Sequence, residues 1–272
     1  MGPGLLGYTG RRLLWAVPVL FIISVVVFYM LRLAPGDPVD AILGQRFQED
    51  QAAILRKKYG YDQPVHIQYL KYIQNLAKGD LGVSTRHQQF TVSEVIIPKI
   101  WVSTRLGFIA IVISFTLGTA AGVYAALARG TFLDPLTISF WLAVDAIPVF
   151  VAAPALMWLF ALKLDLVGLG WRGFASANII LPILVLSLPG TAGIARFVRT
   201  ARAKGLPERT VVLTHIARNA LLPLITVIGL ALPGVAGGSL VVEQLFGIPG
   251  IGREGFDAVL APDFDVILAL VL

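Results

Sequence analysis

The residues able to do chemistry in this chain are few, and none stand at catalytic spacings. The three histidines, His66, His87 and His215, are far apart in sequence and form no metal-binding pattern. With no cysteine there is no thiolate zinc site, no iron–sulfur ligation and no disulfide framework. The sequence has no His-Glu-x-x-His, no Gly-x-Ser-x-Gly and no paired Asp-rich motif, and the dipeptide Gly-Lys does not occur, so a phosphate-cradling P-loop is absent. The expectation is a chain that is not an enzyme, with no catalytic residue, no metal ligand and no cofactor of its own. If ATP is used, another chain must hydrolyse it.

Two places remain where chemistry could reside. The first is Asp145, in Val144-Asp145-Ala146-Ile147-Pro148, the one ionisable residue deep within an apolar run. An intramembrane carboxylate is costly and suggests a proton relay or contact with a charged substrate. Equally, it could face a polar chamber or cap a helix break at Pro148. The second is the stretch holding Arg199, Thr200, Ala201, Arg202, Lys204 and Gly205. Its small residues make a short helix that another backbone can approach closely, and its cations supply charge for docking. A basic cytoplasmic loop touching anionic lipid would read the same way.

The elements that must position these residues follow from composition. Only 14% of the 272 residues are charged and 57% are apolar, whereas soluble chains carry about 25% charge. So few charges cannot cover so much apolar surface in water, so the chain is read as an integral membrane protein. Its net charge of +6 then points to cytoplasmic loops and not to nucleic acid. A spanning helix needs about 20 apolar residues. Runs that qualify are residues 13–31, 106–128, 136–162 (interrupted by Asp145), 174–195 and 219–242, with residues 266–272 beginning another. The first run, 19 residues after Arg11 and Arg12, exceeds a signal-peptide core and is read as an uncleaved anchor. The fold class expected is all-α: a polytopic transmembrane bundle of five full spans plus the start of a sixth.

Arg11 and Arg12, Arg129, and the cluster from Arg196 to Arg218 fall on one side of such a serpentine, which by the positive-inside rule is the cytoplasm. The N-terminus is then inside. Residues 1–32 are read as the cytoplasmic N-terminus and span one, 33–105 as a small external helical segment, and 106–272 as a core with a cytoplasmic loop at 196–218. Within the external segment one helix is expected over 47–59, stopped by Gly60. A second is expected from Pro64, with Asp62 near its cap, to just before Gly79. Its Tyr69, Leu70, Ile73, Leu76 and Ala77 share a face that packs on the protein, or else meets the membrane surface or a partner.

The stretch Arg199-Thr200-Ala201-Arg202-Ala203-Lys204-Gly205-Leu206 resembles the coupling loop of ABC-transporter permeases of the peptide/nickel type. Further blocks extend the resemblance over nearly the whole chain: Leu33-Ala34-Pro35-Gly36-Asp37-Pro38, Gly79-Asp80-Leu81-Gly82-Val83-Ser84, Arg218-Asn219-Ala220-Leu221-Leu222-Pro223, Val242-Glu243 and Pro249-Gly250-Ile251-Gly252. The resemblance implies a bacterial inner-membrane permease of a binding-protein-dependent importer for peptides or related small solutes. It implies as partners a second homologous permease, two ATP-binding subunits gripping Arg199 to Gly205, an extracytoplasmic solute-binding protein and the lipid bilayer. Arg199 stands where the general pattern has Glu, the link from span four to the coupling segment is shorter than usual, and the given sequence stops where the sixth span starts. The competing readings are a secondary carrier using Asp145, which would call for inverted-repeat symmetry, and a truncated, non-transporting relative.

Overall fold

In the computed structural model, residues 5–33, 39, 43, 49–87, 89–202 and 239–271 are described. Among them the only regular elements are helices: α1 (Leu5–Leu33), α2 (Glu49–Tyr59), α3 (Val65–Ala77), α4 (Val92–Leu127), α5 (Leu133–Asp145), α6 (Val149–Leu156), α7 (Ile180–Ser187), α8 (Thr191–Arg202), α9 (Leu240–Phe246), α10 (Ile251–Leu260) and α11 (Phe264–Val271). The chain divides into two compact units, Met1–Pro98 with Glu254–Leu272, and Lys99–Arg253.

Among the described residues the expected five full spans are not confirmed. By length and composition α1 and α4 are long and apolar enough to cross a membrane, and a third crossing exists if two bent helices count as one. α4 starts at Val92, well before the apolar run at 106, because Thr91 and Glu94 form a reciprocal cap. The Thr91 N–H donates to Glu94 Oε2 (2.8 Å) and the Glu94 N–H to Thr91 Oγ1 (3.3 Å). The expected third span is bent by 95° between α5 and the helical stretch Val149–Lys163. Pro148 lacks an amide donor and disfavours helix at the residue before it, so α5 closes and α6 starts anew. Beyond Pro154 the coil widens into a π-helix, Met157–Lys163.

The expected fourth span is likewise not continuous. Residues Ala177–Ile179 form a 3-10 turn leading into α7, and the chain breaks at Pro189 and Gly190 (φ +86°) before α8 begins. α8 does not stop at Ala195 but runs on into the basic segment as far as Arg202. Most of the expected fifth span, 219–242, and residues 203–218 of the cytoplasmic loop lie outside the described residues.

In the first unit, the face of α3 packs against α1: Phe28 (2% exposed), Tyr69 and Leu268 of α11 form one buried cluster with Tyr72 and Ile73 beside it. Ser24 Oγ and the Tyr69 hydroxyl lie 2.9 Å apart. Packing on the protein thus accounts for the inner edge of that face, while Leu70 remains exposed. Gly60 ends α2 in a left-handed conformation as expected (φ +73°). Asp62, however, does not cap α3: Pro64 holds the N-cap position without a side-chain bond, and Gln68 Nε2 donates to the Tyr61 and Gln63 carbonyls at 3.2 and 2.7 Å.

In the second unit, α4 and α8 cross at contact distance over small residues. Ala121 and Ala125 of α4 share a buried cluster with Ile138 of α5 and Ala195 of α8. A Cβ on Gly118 would lie 2.7 Å from the Ile194 Cβ and 2.9 Å from the Thr191 carbonyl oxygen. Small residues are how membrane helices approach closely enough for dispersion to hold them. Gly118→Val is therefore expected to destabilise this unit by about 1–3 kcal/mol, the usual overpacking cost, visible as a lower thermal midpoint. An unchanged midpoint would show that the crossing has slack.

Candidate functional site

The basic segment is positioned by the break at Pro189-Gly190. Thr191, fully buried, bridges that break: its hydroxyl donates to the Ser187 carbonyl (2.7 Å) and lies 3.3 Å from Ser114 Oγ on α4. Asp145 closes the other side, accepting the Gly190 N–H on Oδ1 at 3.1 Å. The carboxylate ends α5 and caps the turn that opens α8. Its side chain is exposed, at the bend of the third candidate span.

These contacts fix how α5 and α8 run. Asp145 meets residue 190 at one end, and Ile138 and Ala195 share a cluster further along, so the helices are antiparallel. The backbone positions of Arg199, Thr200, Ala201 and Arg202 belong to the last turns of α8, whereas Lys204 and Gly205 lie outside the described residues. Arg199 to Arg202 therefore continue the helix that is seated on α4 and α5. Asp145 is tied to the start of that same helix, a relation invisible in sequence.

Sequence reasoning missed a second constellation around Glu243, whose side chain is almost wholly buried (1% exposed). Its Oε1 accepts from Ser103 Oγ (2.6 Å) and the Ser239 N–H (3.2 Å), and its Oε2 from the Arg253 N–H (2.8 Å). Ser103 Oγ in turn accepts the Ile251 N–H at 2.9 Å. Together Glu243 and Ser103 satisfy amides at the start of α10 that have no partner within the helix. The carboxylate fits only because residue 250 is glycine: a Cβ there would fall on the Glu243 carboxylate itself, and one on Gly252 would lie 2.8 Å from the Leu240 nitrogen. The recurrence of Val242-Glu243 with Pro249-Gly250-Ile251-Gly252 was the available signal. Glu243→Ala strands the Arg253 and Ser239 amides and the Ser103 hydroxyl, at about 1–3 kcal/mol per buried group. Loss of folded protein is expected from expression and thermal unfolding, and a stable Ala variant would refute the capping role.

A third carboxylate group lies in the first unit, outside the spans. Asp263 (1% exposed) accepts from Ser84 Oγ at 2.5 Å and from the Thr85 and Arg86 N–H groups, both at 3.2 Å, fastening the 84–87 loop. Beside it, burial above all, with Asp263 and Asp80 adding repulsion and Arg32 opposing them, pushes the Asp265 carboxyl up to about 7. Burial, and after it the Asp265 charge, pushes the Tyr72 hydroxyl up to about 12, and Tyr61 is raised for the same leading reasons. The Arg32 guanidinium lies 4.6 Å from the Tyr61 ring centre. Asp265 holds its proton more tightly folded than unfolded, so its contribution to stability falls as pH rises from about 4 to about 7 and levels off above. Asp265→Asn is expected to flatten that slope and raise the thermal midpoint at pH 8. A slope unchanged by the substitution would contradict it.

None of these carboxylates is arranged for turnover. Each of Asp145, Glu243 and Asp263 accepts backbone amides, and among the described residues no group of three or more His, Cys, Asp or Glu could hold a metal ion. What the arrangement can do is hold broken helices in fixed relation.

Comparison with known proteins bears on that role. Residues 118–272 match the family described as binding-protein-dependent transport system inner membrane component, and residues 5–92 match the N-terminal part described for membrane components of the same systems. The oligopeptide transport system permease protein OppB of Salmonella typhimurium is 38% identical over 277 residues, covering 96% of this chain and 90% of that protein. OppB of Haemophilus influenzae is 36% identical, covering 98% and 92%. The glutathione transport system permease protein GsiC of Escherichia coli is 35% identical, covering 98% and 91%. The aligned length of 277 exceeds the 272 residues of the chain, so the Salmonella relative carries residues for which this chain has no counterpart.

Proposed function

The chain belongs to the binding-protein-dependent transport system inner membrane components, and on that premise we propose that it imports peptides or related small solutes as one permease of an ABC importer. It would line the membrane pathway together with a second homologous permease. Two partner subunits would bind and hydrolyse ATP, this chain holding no cofactor, and an extracytoplasmic binding protein would deliver the solute. The orientation that suits this division places the N-terminus in the cytoplasm of a bacterial cell and the 33–105 segment outside.

The observation that carries the proposal is the continuity of α8. One helix runs from its seat on α4, at Gly118 and Ser114, into the segment of Arg199, Thr200, Ala201 and Arg202, with Lys204 and Gly205 following in sequence. ATPase closure pressing on that end would move the helix as a lever and, through the Gly190–Asp145 bond, the bend of the third span. Asp145, exposed at that bend, would be open to contact with a polar solute. A secondary carrier running on Asp145 has less support, because the carboxylate is engaged by the Gly190 amide.

Co-purification of the chain from its native membrane tests the reading: ATP-binding subunits and a second permease should accompany it, and a lone stable chain would contradict it. Replacing Gly205 with tryptophan should abolish solute-stimulated ATP hydrolysis while leaving membrane insertion intact. Full transport by that variant would reduce the segment to a charged loop. Since the chain has no cysteine, single cysteines report orientation: one at Gln51 should react with an impermeant reagent from outside and one at Thr131 should not. The opposite pattern would invert the topology.

A further inference from the structure

An open groove of about 620 Å³ runs between α4 and α5, and the importer reading makes no use of it. Its lining recurs at helical-turn spacing on both sides, with Ala120, Ala121 and Tyr124 on α4 and Leu133, Thr137 and Trp141 on α5. The two alanines leave space that the larger side chains do not fill. α4 is a candidate span and α5 the first half of the bent one, both within the second unit. The groove therefore lies at the depth of the hydrocarbon.

Almost nothing polar is offered there. The Thr137 hydroxyl is engaged within its own helix, donating to the Leu133 carbonyl at 2.8 Å. A peptide would leave its amides unsatisfied against such a lining, whereas a hydrocarbon chain needs no partner. At about 30 Å³ for a group the size of a water molecule, the groove takes up to about 20 methylenes, the scale of an acyl chain. A helix, about 10 Å across or more, enters it only by its side chains.

Charge stands at one end. The turn joining α4 to α5 closes the groove there and is fixed in place. The Thr131 N–H and hydroxyl both donate to the Ala128 carbonyl, at 3.0 and 2.6 Å, and the hydroxyl accepts the Leu133 N–H at 3.3 Å. On this turn Arg129 is exposed and makes no ion pair or hydrogen bond with any described residue. A cation following α4 already suits the helix dipole and the topology, but those roles predict no link between Arg129 and the groove.

We propose that the α4–α5 groove is a phospholipid site, taking an acyl chain along the two alanines and an anionic headgroup at Arg129. Lipid tails are as apolar as the lining, so chain burial gains little over the surrounding bilayer. Selection among lipids then comes from the headgroup. Ala121 belongs both to the groove and to the cluster holding Ala195, so the bound chain packs directly beside the seat of α8.

The test reads Trp141 from inside the groove. Trp15→Phe, Trp101→Phe, Trp158→Phe and Trp171→Phe leave it the sole tryptophan of the full chain, reconstituted in phosphatidylcholine vesicles. A small, varied fraction of the lipid carries brominated chains, on either phosphatidylglycerol or phosphatidylcholine, and bromine quenches the indole on contact. Half-quenching should need about fivefold less brominated phosphatidylglycerol than brominated phosphatidylcholine, equivalent to about 1 kcal/mol for one cation near the surface. Arg129→Gln should bring the two lipids together, and Ala120→Phe, which fills the groove, should remove the preference as well. Equal quenching by both lipids in the parent, or a preference surviving either substitution, overturns the proposal. Should Ala120→Phe fail to insert, the Arg129→Gln comparison decides. The same reading is repeated on the complex purified with its partner subunits, where the preference should persist; its loss would show that a protein covers the groove and would overturn the lipid as occupant. No transport is measured, so the result stands whether or not the importer reading does.

Discussion

Amides freed where a helix breaks have no partner in hydrocarbon, and the described part of this chain breaks its helices repeatedly. The breaks that matter most are closed by carboxylates acting across long stretches of sequence. Asp145 takes the Gly190 amide before α8, Glu243 takes the Arg253 amide at the start of α10, and Asp263 takes the Thr85 and Arg86 amides of the 84–87 loop. For the buried Glu243 and Asp263, an acid that would be expensive alone is offset by donors that would be expensive without it. The same trade lets a mostly apolar chain keep bent spans without losing definite geometry.

Bent spans change what a permease subunit can transmit. A straight bundle held by side-chain packing alone would absorb a local push in many small adjustments. Here α8 is seated backbone-close on α4 at Gly118 and bridged to it by the Thr191 and Ser114 hydroxyls. Its beginning is tied to the end of α5. The basic end of α8 and the bend at Pro148 are thus joined through α8 and the Gly190–Asp145 bond, the path that would carry a push from partner subunits in the importer proposed above.

The Glu243 cluster serves the opposite end of rigidity. A carboxylate with two backbone donors and one hydroxyl, roofed by glycines that leave room only for its own oxygens, has no second arrangement of similar energy. Asp265 is different: buried near Asp263 and Asp80 with Arg32 alongside, its charge is poorly compensated, so that corner responds to pH where the Glu243 corner is built to stay put.

By itself the sequence determined the membrane class, the first span, the helix ending at Gly60 and the family, since each depends on composition, local periodicity or contiguous motifs. Arg199 to Gly205 stood out for the same reason, as a run of neighbours that carries the resemblance to a coupling loop. The start of α4 was readable too, in Thr91-Val92-Ser93-Glu94, but Pro98, Lys99 and Arg105 interrupt the stretch before the apolar run and hid the continuation of the helix into it. What only the tertiary structure decided are the pairings between distant residues. Ser103 finds Glu243 140 residues away, Ser84 finds Asp263 179 away, and Asp145 finds Gly190 45 away. The prolines at 148 and 189 marked sites where helices could break, but whether a break bends a span or merely kinks it depends on which distant side chain arrives to satisfy the freed amide. That arrival is a property of the packed chain and not of any local stretch.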